Sequence, residues 1–255
     1  WNMDIIGVDD VTAEAELLAA LVTFFRGVGL TQDNIQIRIS NRRLLQAVLA
    51  AAGIGDDLLA PVCVLVDKLE KVSRDAVEAE LAELGVDAAA IDSVLEVASC
   101  NTLEDAAKLA GEGDNGLDEI GRLLDLASQY GIAEWLQFDA SLVRGLAYYT
   151  GIVFEAKAIT GDLHRAICGG GRYDRLLSTF GGKDLPACGF GFGDPVILEI
   201  LKDLDLLPTL PRGIDDVVFA FEASLRGPAQ DVANRLRNAG RSVDLVLEDG
   251  KRMKW

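Results

Sequence analysis

The sequence contains a single histidine, His164, in 255 residues. That excludes a multi-histidine metal centre and argues against a Ser-His-Asp triad. Its four cysteines, Cys63, Cys100, Cys168 and Cys188, lie far apart and form no CxxC pair. This spacing argues against a zinc ribbon or a thioredoxin-like site and for reduced, mostly buried thiols. No apolar run approaches the roughly 18 residues that a membrane-spanning helix needs. Basic residues are scarce: 24 Lys and Arg face 41 Asp and Glu, a formal net charge of −17. A general nucleic-acid binder shows a basic face, so any patch that contacts RNA is expected to be small or to lie on sequence outside this chain. There is no Walker loop, no GxGxxG fingerprint, no repeat, no low-complexity tract and no visible targeting segment. The chain opens at Trp1 and stops at Lys254-Trp255 without tail character, so it is expected to be a piece of a longer protein.

What is present is half hydrophobic, enough for a sizeable core. A short strand is expected at residues 3–8. A helix is expected over 11–29, capped by Thr12, with Leu17, Leu18, Leu21, Val22 and Phe25 on one face. Ile35, Ile37 and Ile39 alternate with polar residues and predict a strand with one solvated face. Asn41 is placed to cap the helix that follows. Residues 57–130 read as a run of short helices, punctuated by Gly85 and by the glycine-rich stretch 111–116. From 135 the pattern turns to strands, at 135–139, 148–158, 164–168 and 187–193, with helices near 172–179 and 194–203. A proline-bearing linker at 205–213 precedes a β-α-β pattern over 216–247, which predicts a parallel strand pair.

Three segments carry candidate chemistry. In Val143-Arg-Gly-Leu-Ala-Tyr-Tyr-Thr-Gly, the Arg144 guanidinium suits a carboxylate or phosphate. Tyr148 and Tyr149 are expected on opposite faces of a strand, one in the core and one offering its hydroxyl to a ligand. Gly169-Gly170-Gly171 allows close backbone approach to a ligand or forms a flexible turn, and Arg172 is expected to open a helix where free amides favour anions. The alternating glycines of Cys188-Gly-Phe-Gly-Phe-Gly leave one strand face bare, for a flat ring or for close helix packing. Together they fit a small-molecule site for an anion and a planar group.

The wording of these segments resembles the histidyl-tRNA synthetase family. Arg144-Gly-Leu-Ala-Tyr-Tyr-Thr-Gly is similar to its first histidine-specific motif and Gly169-Gly-Gly-Arg-Tyr-Asp to its second. Residues 187–197 resemble class II motif 3, and Trp1-Asn-Met-Asp-Ile-Ile-Gly resembles the closing strand of motif 2. The wording of 144–193 is nearest to plant and algal organellar enzymes.

The resemblance implies an α+β fold: a class II antiparallel sheet with flanking helices, a helical insertion and a partial α/β anticodon-binding domain. By domain, 1–205 would be a partial catalytic domain with an insertion at about 57–130 that embraces the tRNA acceptor arm. Residues 206–214 would be a linker and 215–255 part of the anticodon-binding domain. It implies activation of histidine by ATP, assisted by Mg2+, to histidyl-adenylate, and transfer to tRNA(His). Arg144 would contact the α-phosphate as fixed positive charge. Asp4, Tyr148, Tyr149, Gly169 and Gly170 would contact histidine, with Tyr149 bonded to the imidazole. Gly189 and Gly191 would lie beneath ATP and the adenylate. Motif 1 and the motif 2 arginine would lie upstream of Trp1, and the full-length protein would be a homodimer. The fragment alone is expected to be inactive. Chloroplast, mitochondrion or cytoplasm are the expected compartments.

One departure bears on function. The motif 3 arginine that holds the ATP γ-phosphate is replaced by Val196, in Asp194-Pro-Val-Ile. The alternative reading is a regulatory paralogue that binds histidine without charging tRNA.

Overall fold

The computed structural model describes residues 1–69, 72–111, 116–142, 148–160, 166–209 and 213–247. Arg144 and His164 lie outside them. The chain divides into two compact units, 1–207 and 208–255.

The first unit is built on a six-stranded sheet. Its strands are β1 (Asn2–Ile6), β2 (Ile35–Asn41), β3 (Leu136–Phe138), β4 (Ile152–Ala158), β5 (Ala166–Arg172) and β6 (Ala187–Phe192), in spatial order β1-β6-β5-β4-β2-β3. All neighbours are antiparallel except the parallel pair β2 and β3. Because side chains alternate along a strand, pairing sorts them into two faces. Ile37 and Ile39 line up with Ala156 and Phe154, then with Cys168 and Gly170, then with Phe192 and Phe190. This is the apolar face. Helix α1 (Thr12–Gly27) contributes Leu17, Leu18, Leu21, Val22 and Phe25, each fully buried, to the same core.

The other face carries two rows. One runs Asn2, Gly191, Gly169, Glu155, Arg38, Gln137; the next runs Asp4, Gly189, Gly171, Val153, Ser40. The polar side of β2 is not solvated, contrary to the alternation argument. It lies between β3 and β4, where Arg38 bonds Asp139 at 3.0 Å and Glu155 at 2.9 Å.

Helix α1 begins one residue earlier than a Thr12 cap predicts. Val11 holds the cap position, and the Asp10 carboxylate, not a threonine hydroxyl, accepts the Thr12 amide at 2.9 Å. Asn41 does cap α2 (Arg42–Ala51), accepting from the Arg43 amide at 3.1 Å. Its amide group also donates to Gly116 O and to Glu119, tying α2 to the start of α7. Residues 57–130 contain α3 (Leu59–Val66), α4 (Arg74–Glu83), α5 (Ala88–Val97), α6 (Leu103–Ala110) and α7 (Leu117–Gln129). Ser73, Asp87 and Thr102 cap α4, α5 and α6 through their side chains. These helices share one continuous core with the sheet rather than a core of their own. After β5 comes the single turn α8 (Leu176–Thr179), and after β6 comes α9 (Asp194–Asp203).

The second unit pairs β7 (Asp216–Val218) in parallel with β8 (Val243–Leu245), connected through α10 (Arg226–Asn238). All four cysteines are buried and none forms a disulfide. No helix among the described residues is long and apolar enough to cross a membrane.

The expected helix opening at Arg172 does not form. Arg172 is the last residue of β5 and is paired with Cys188, so period-two alternation turns it to the apolar face. There it is buried and forks onto Glu14 of α1, with Nε to Oε1 at 2.6 Å and Nη2 to Oε2 at 2.7 Å. Its remaining donors reach Val8 O, Asp10 O and Asp174. Burial raises the Glu14 carboxyl above its ordinary value, and the guanidinium beside it holds the charge. Removing one partner strands the other charge in the core. We therefore expect Arg172→Ala to cost about 3–5 kcal/mol in urea unfolding. A loss below about 1 kcal/mol would show the pair to be dispensable.

Candidate functional site

The bare face of β5 and β6 is the floor of a pocket of about 400 Å³. Gly169, Gly189 and Gly191 form its base, Asp4 one side, and Tyr148, Tyr149 and Tyr173 the other. The glycines are required by crowding. A Cβ on Gly189 would collide with the Asp4 carboxylate, the Tyr173 hydroxyl and the Met3 carbonyl. A Cβ on Gly171 would lie 2.5 Å from Ile152 O and 3.0 Å from the Tyr149 ring. At Gly191 nothing lies within 4 Å, because that position opens into the pocket.

Gly170 does not share this face. It stands between Phe154 and Phe190 on the core side, and a Cβ there would come within 2.8 Å of the Phe154 ring. The glycine triplet is therefore neither a turn nor a uniform floor. It is strand, with Gly169 and Gly171 serving the pocket and Gly170 serving the core.

Tyr148 and Tyr149 precede β4 rather than sitting within it, so strand alternation does not separate them. Their rings lie 4.6 Å apart at 49°, and the Tyr173 ring stands perpendicular to Tyr148 at 6.0 Å. Tyr149 is buried and Tyr148 partly exposed. The segment is suspended by backbone bonds: Thr150 N donates to Arg172 O at 2.8 Å, and Gly151 O accepts from Arg42 N at 3.0 Å. The Thr150 hydroxyl also donates to Asp174 at 2.9 Å.

Tyr173, outside the candidate residues read from the sequence, is central. Its hydroxyl donates to Asp4 Oδ1. Burial and that bond push the phenol above its ordinary pKa, so it remains a donor throughout the physiological range. Parity was the signal available: once Arg172 points to the core, the next residue points to the pocket. Behind the floor, burial pushes the Cys188 thiol up to about 12, so it adds no charge. The site thus offers an oriented carboxylate, three phenol rings and a flat strip of backbone. That combination accepts a planar ring with an N–H donor.

A mainly antiparallel six-stranded sheet, flanked by helices and bearing a pocket on its glycine strands, is the class II aminoacyl-tRNA synthetase fold. The chain belongs to the histidyl-tRNA synthetase family, whose profile matches residues 3–193. It is 51% identical over its whole length to histidine–tRNA ligase, chloroplastic/mitochondrial, of Arabidopsis thaliana, covering 52% of that protein. It is 38% identical to the histidine–tRNA ligase of Opitutus terrae, with 100% of this chain and 60% of that protein aligned. A crystal structure of histidyl-tRNA synthetase from a Nostoc species superposes with a TM-score of 0.72 at 25% identity, over 99% of this chain and 61% of that one. The chain thus spans about half the length of the curated relatives it matches. The resemblance read from the motif wording is borne out at the level of family and fold.

The glycine geometry makes opposite demands at neighbouring positions. Gly189→Ala is expected to lower stability by about 1–3 kcal/mol through overpacking. Gly191→Ala should leave the melting temperature unchanged or raise it slightly, since alanine restricts the unfolded chain. Equal melting shifts for both variants would refute the assignment of Asp4 and Tyr173 to a tight pocket wall.

Proposed function

We propose that this chain carries the amino-acid-activating face of a histidine–tRNA ligase. The observation that supports this most directly is the Asp4–Tyr173 pair, poised over the glycine floor in a chain of this family. An imidazole laid on the backbone of Gly169 and Gly189 gives its ring N–H to Asp4, whose orientation is fixed by the bonds it accepts from the Tyr173 hydroxyl and the Asn2 side-chain amide. Tyr149 bonds the ring's second nitrogen and Tyr148 closes over the amino acid. Gly191 leaves room for the adenylate.

The histidine carboxylate attacks the α-phosphorus of ATP; a P–O bond forms and the bond to the departing pyrophosphate breaks. Arg144, outside the described residues, is proposed as the fixed cation at that phosphate. In the second step a terminal hydroxyl of tRNA(His) attacks the acyl carbon and AMP leaves. Magnesium enters with ATP as part of the substrate. No group of three or more Asp, Glu, His or Cys gathers to hold a metal among the described residues, and no step is routed through one.

We further propose that 1–205 is catalytic, with 57–130 as an insertion that embraces the acceptor arm. Residues 206–214 are a linker, 215–255 belong to an anticodon-binding domain, and the complete protein is a homodimer. The name of the Arabidopsis relative supports a chloroplast or mitochondrion as the compartment. Val196 favours the second reading, a regulatory paralogue: its side chain packs against the core and offers ATP no charge.

The deciding measurement is ATP–pyrophosphate exchange by the complete protein that contains this chain. Exchange that requires histidine supports the ligase, and Asp4→Asn should raise the histidine KM roughly 10- to 100-fold, the worth of a hydrogen bond to a charged group. Saturable histidine binding without exchange would establish the regulatory reading instead.

A further inference from the structure

Thr150 follows Tyr149 and Asp174 follows Tyr173, so each lies one residue from a ring of the amino-acid pocket. The two side chains are joined. The Thr150 hydroxyl donates to Asp174 Oδ2 at 2.9 Å, and its oxygen accepts from the Asp174 backbone amide at 3.2 Å. The other acceptor facing this hydroxyl, Arg172 O, is 3.5 Å away, so the charged carboxylate is the stronger partner. The second oxygen of Asp174 is held as well. Oδ1 accepts from Arg172 Nη1 at 3.2 Å and from the Ala187 amide at 3.3 Å.

These bonds turn Asp174 away from direct contact with a ligand. Both of its oxygens are engaged, and it does not line the pocket that Tyr173 lines. Its carboxylate instead joins three pieces of chain: the end of β5 through Arg172, the start of β6 through Ala187, and the tyrosine segment through Thr150.

The tyrosine segment needs such a tie. It precedes β4, whose pairing with β5 begins at Val153 opposite Gly171. Two backbone bonds, Thr150 N to Arg172 O and Arg42 N to Gly151 O, fix where the chain passes after Tyr149. The Thr150 hydroxyl adds a third point of attachment. Little tolerance exists there, because the Tyr149 ring rests over Gly171, where even a Cβ would come within 3.0 Å of it.

We propose that Thr150 and Asp174 are positioning residues for histidine recognition: their bond holds Tyr149 where its hydroxyl meets the second nitrogen of the imidazole. The inference rests on the pocket reading above. It assigns the groups that keep the Tyr149 wall aligned with the Asp4–Tyr173 wall.

The test is histidine binding by titration calorimetry to the complete protein that contains this chain. The variants are Thr150→Val, Thr150→Ser, Tyr149→Phe, and Thr150→Val combined with Tyr149→Phe. Thr150→Val removes the hydroxyl at nearly constant shape and is expected to weaken histidine about five- to tenfold, the effect of one hydrogen bond. Thr150→Ser should restore the wild-type affinity. The double variant decides how Thr150 acts. Once the Tyr149 hydroxyl is gone, loss of the tie should have no further effect, so the double variant should bind as Tyr149→Phe does. Additive losses would overturn the proposal, because a merely structural role weakens binding whether or not Tyr149 has its hydroxyl. Unchanged affinity in Thr150→Val, or no rescue by Thr150→Ser, would overturn it as well. A wild type that binds histidine without catalysing exchange would sink the ligase reading, while the binding comparison would still decide the role of Thr150. A wild type that binds no histidine would overturn both.

Discussion

The buried pair between Arg172 and Glu14 is the constraint on which the candidate site depends. Two charges in a core are stabilising only when their geometry is close to ideal and their remaining donors are satisfied. Here the fork is bidentate, and the spare N–H groups reach two carbonyls of the loop after β1 and the Asp174 carboxylate. One side chain thus fixes the exit of β1, the first turn of α1 and the end of β5 relative to one another. Asp4 precedes that exit and Tyr173 follows that end, so their meeting on the opposite face is a consequence of the pair beneath them.

The glycine triplet is the complementary constraint, acting through the absence of side chains. Gly170 lets Phe154 and Phe190 approach across the core face, at 6.2 Å between ring centroids. Gly169 and Gly171, one residue to either side, clear the opposite face for a ligand and for the Tyr149 ring. Three residues without Cβ atoms thus satisfy two different packing problems, which explains why the triplet is strand rather than turn.

Much of this was legible in the sequence, and the misreadings share one physical origin. The isoleucine alternation of β2, the apolar stripe of α1, the Asn41 cap and the β-α-β pattern are local signals, encoded within a few residues of where they act. Family and fold followed from motif wording. Arg172 was misplaced because its partner lies 158 residues away, and an arginine after glycines looks locally like an anion-binding helix start. Tyr148 and Tyr149 were assigned to a strand that begins only at Ile152, and Gly170 was counted with the pocket before its register was known. The placements of Arg172 and Gly170 follow once strand pairing sets the parity of β5, and those of Tyr148 and Tyr149 once the start of β4 is set. That is long-range information which periodicity within one segment does not contain.

The acidic balance of the chain, −17 in all, raises the question of how it could engage a polyanion. Total charge is the wrong scale for that problem. At physiological ionic strength, exposed charges farther apart than about 8 Å are largely screened from one another, so an RNA strand responds to the groups it touches rather than to the sum. The carboxylates near the site are also committed: Glu14 and Asp174 are paired with Arg172, while Glu155 bonds Arg38 and Lys157. An acidic chain is therefore compatible with RNA binding through a small local patch, and such confinement converts electrostatics from general adhesion into a requirement for correct placement.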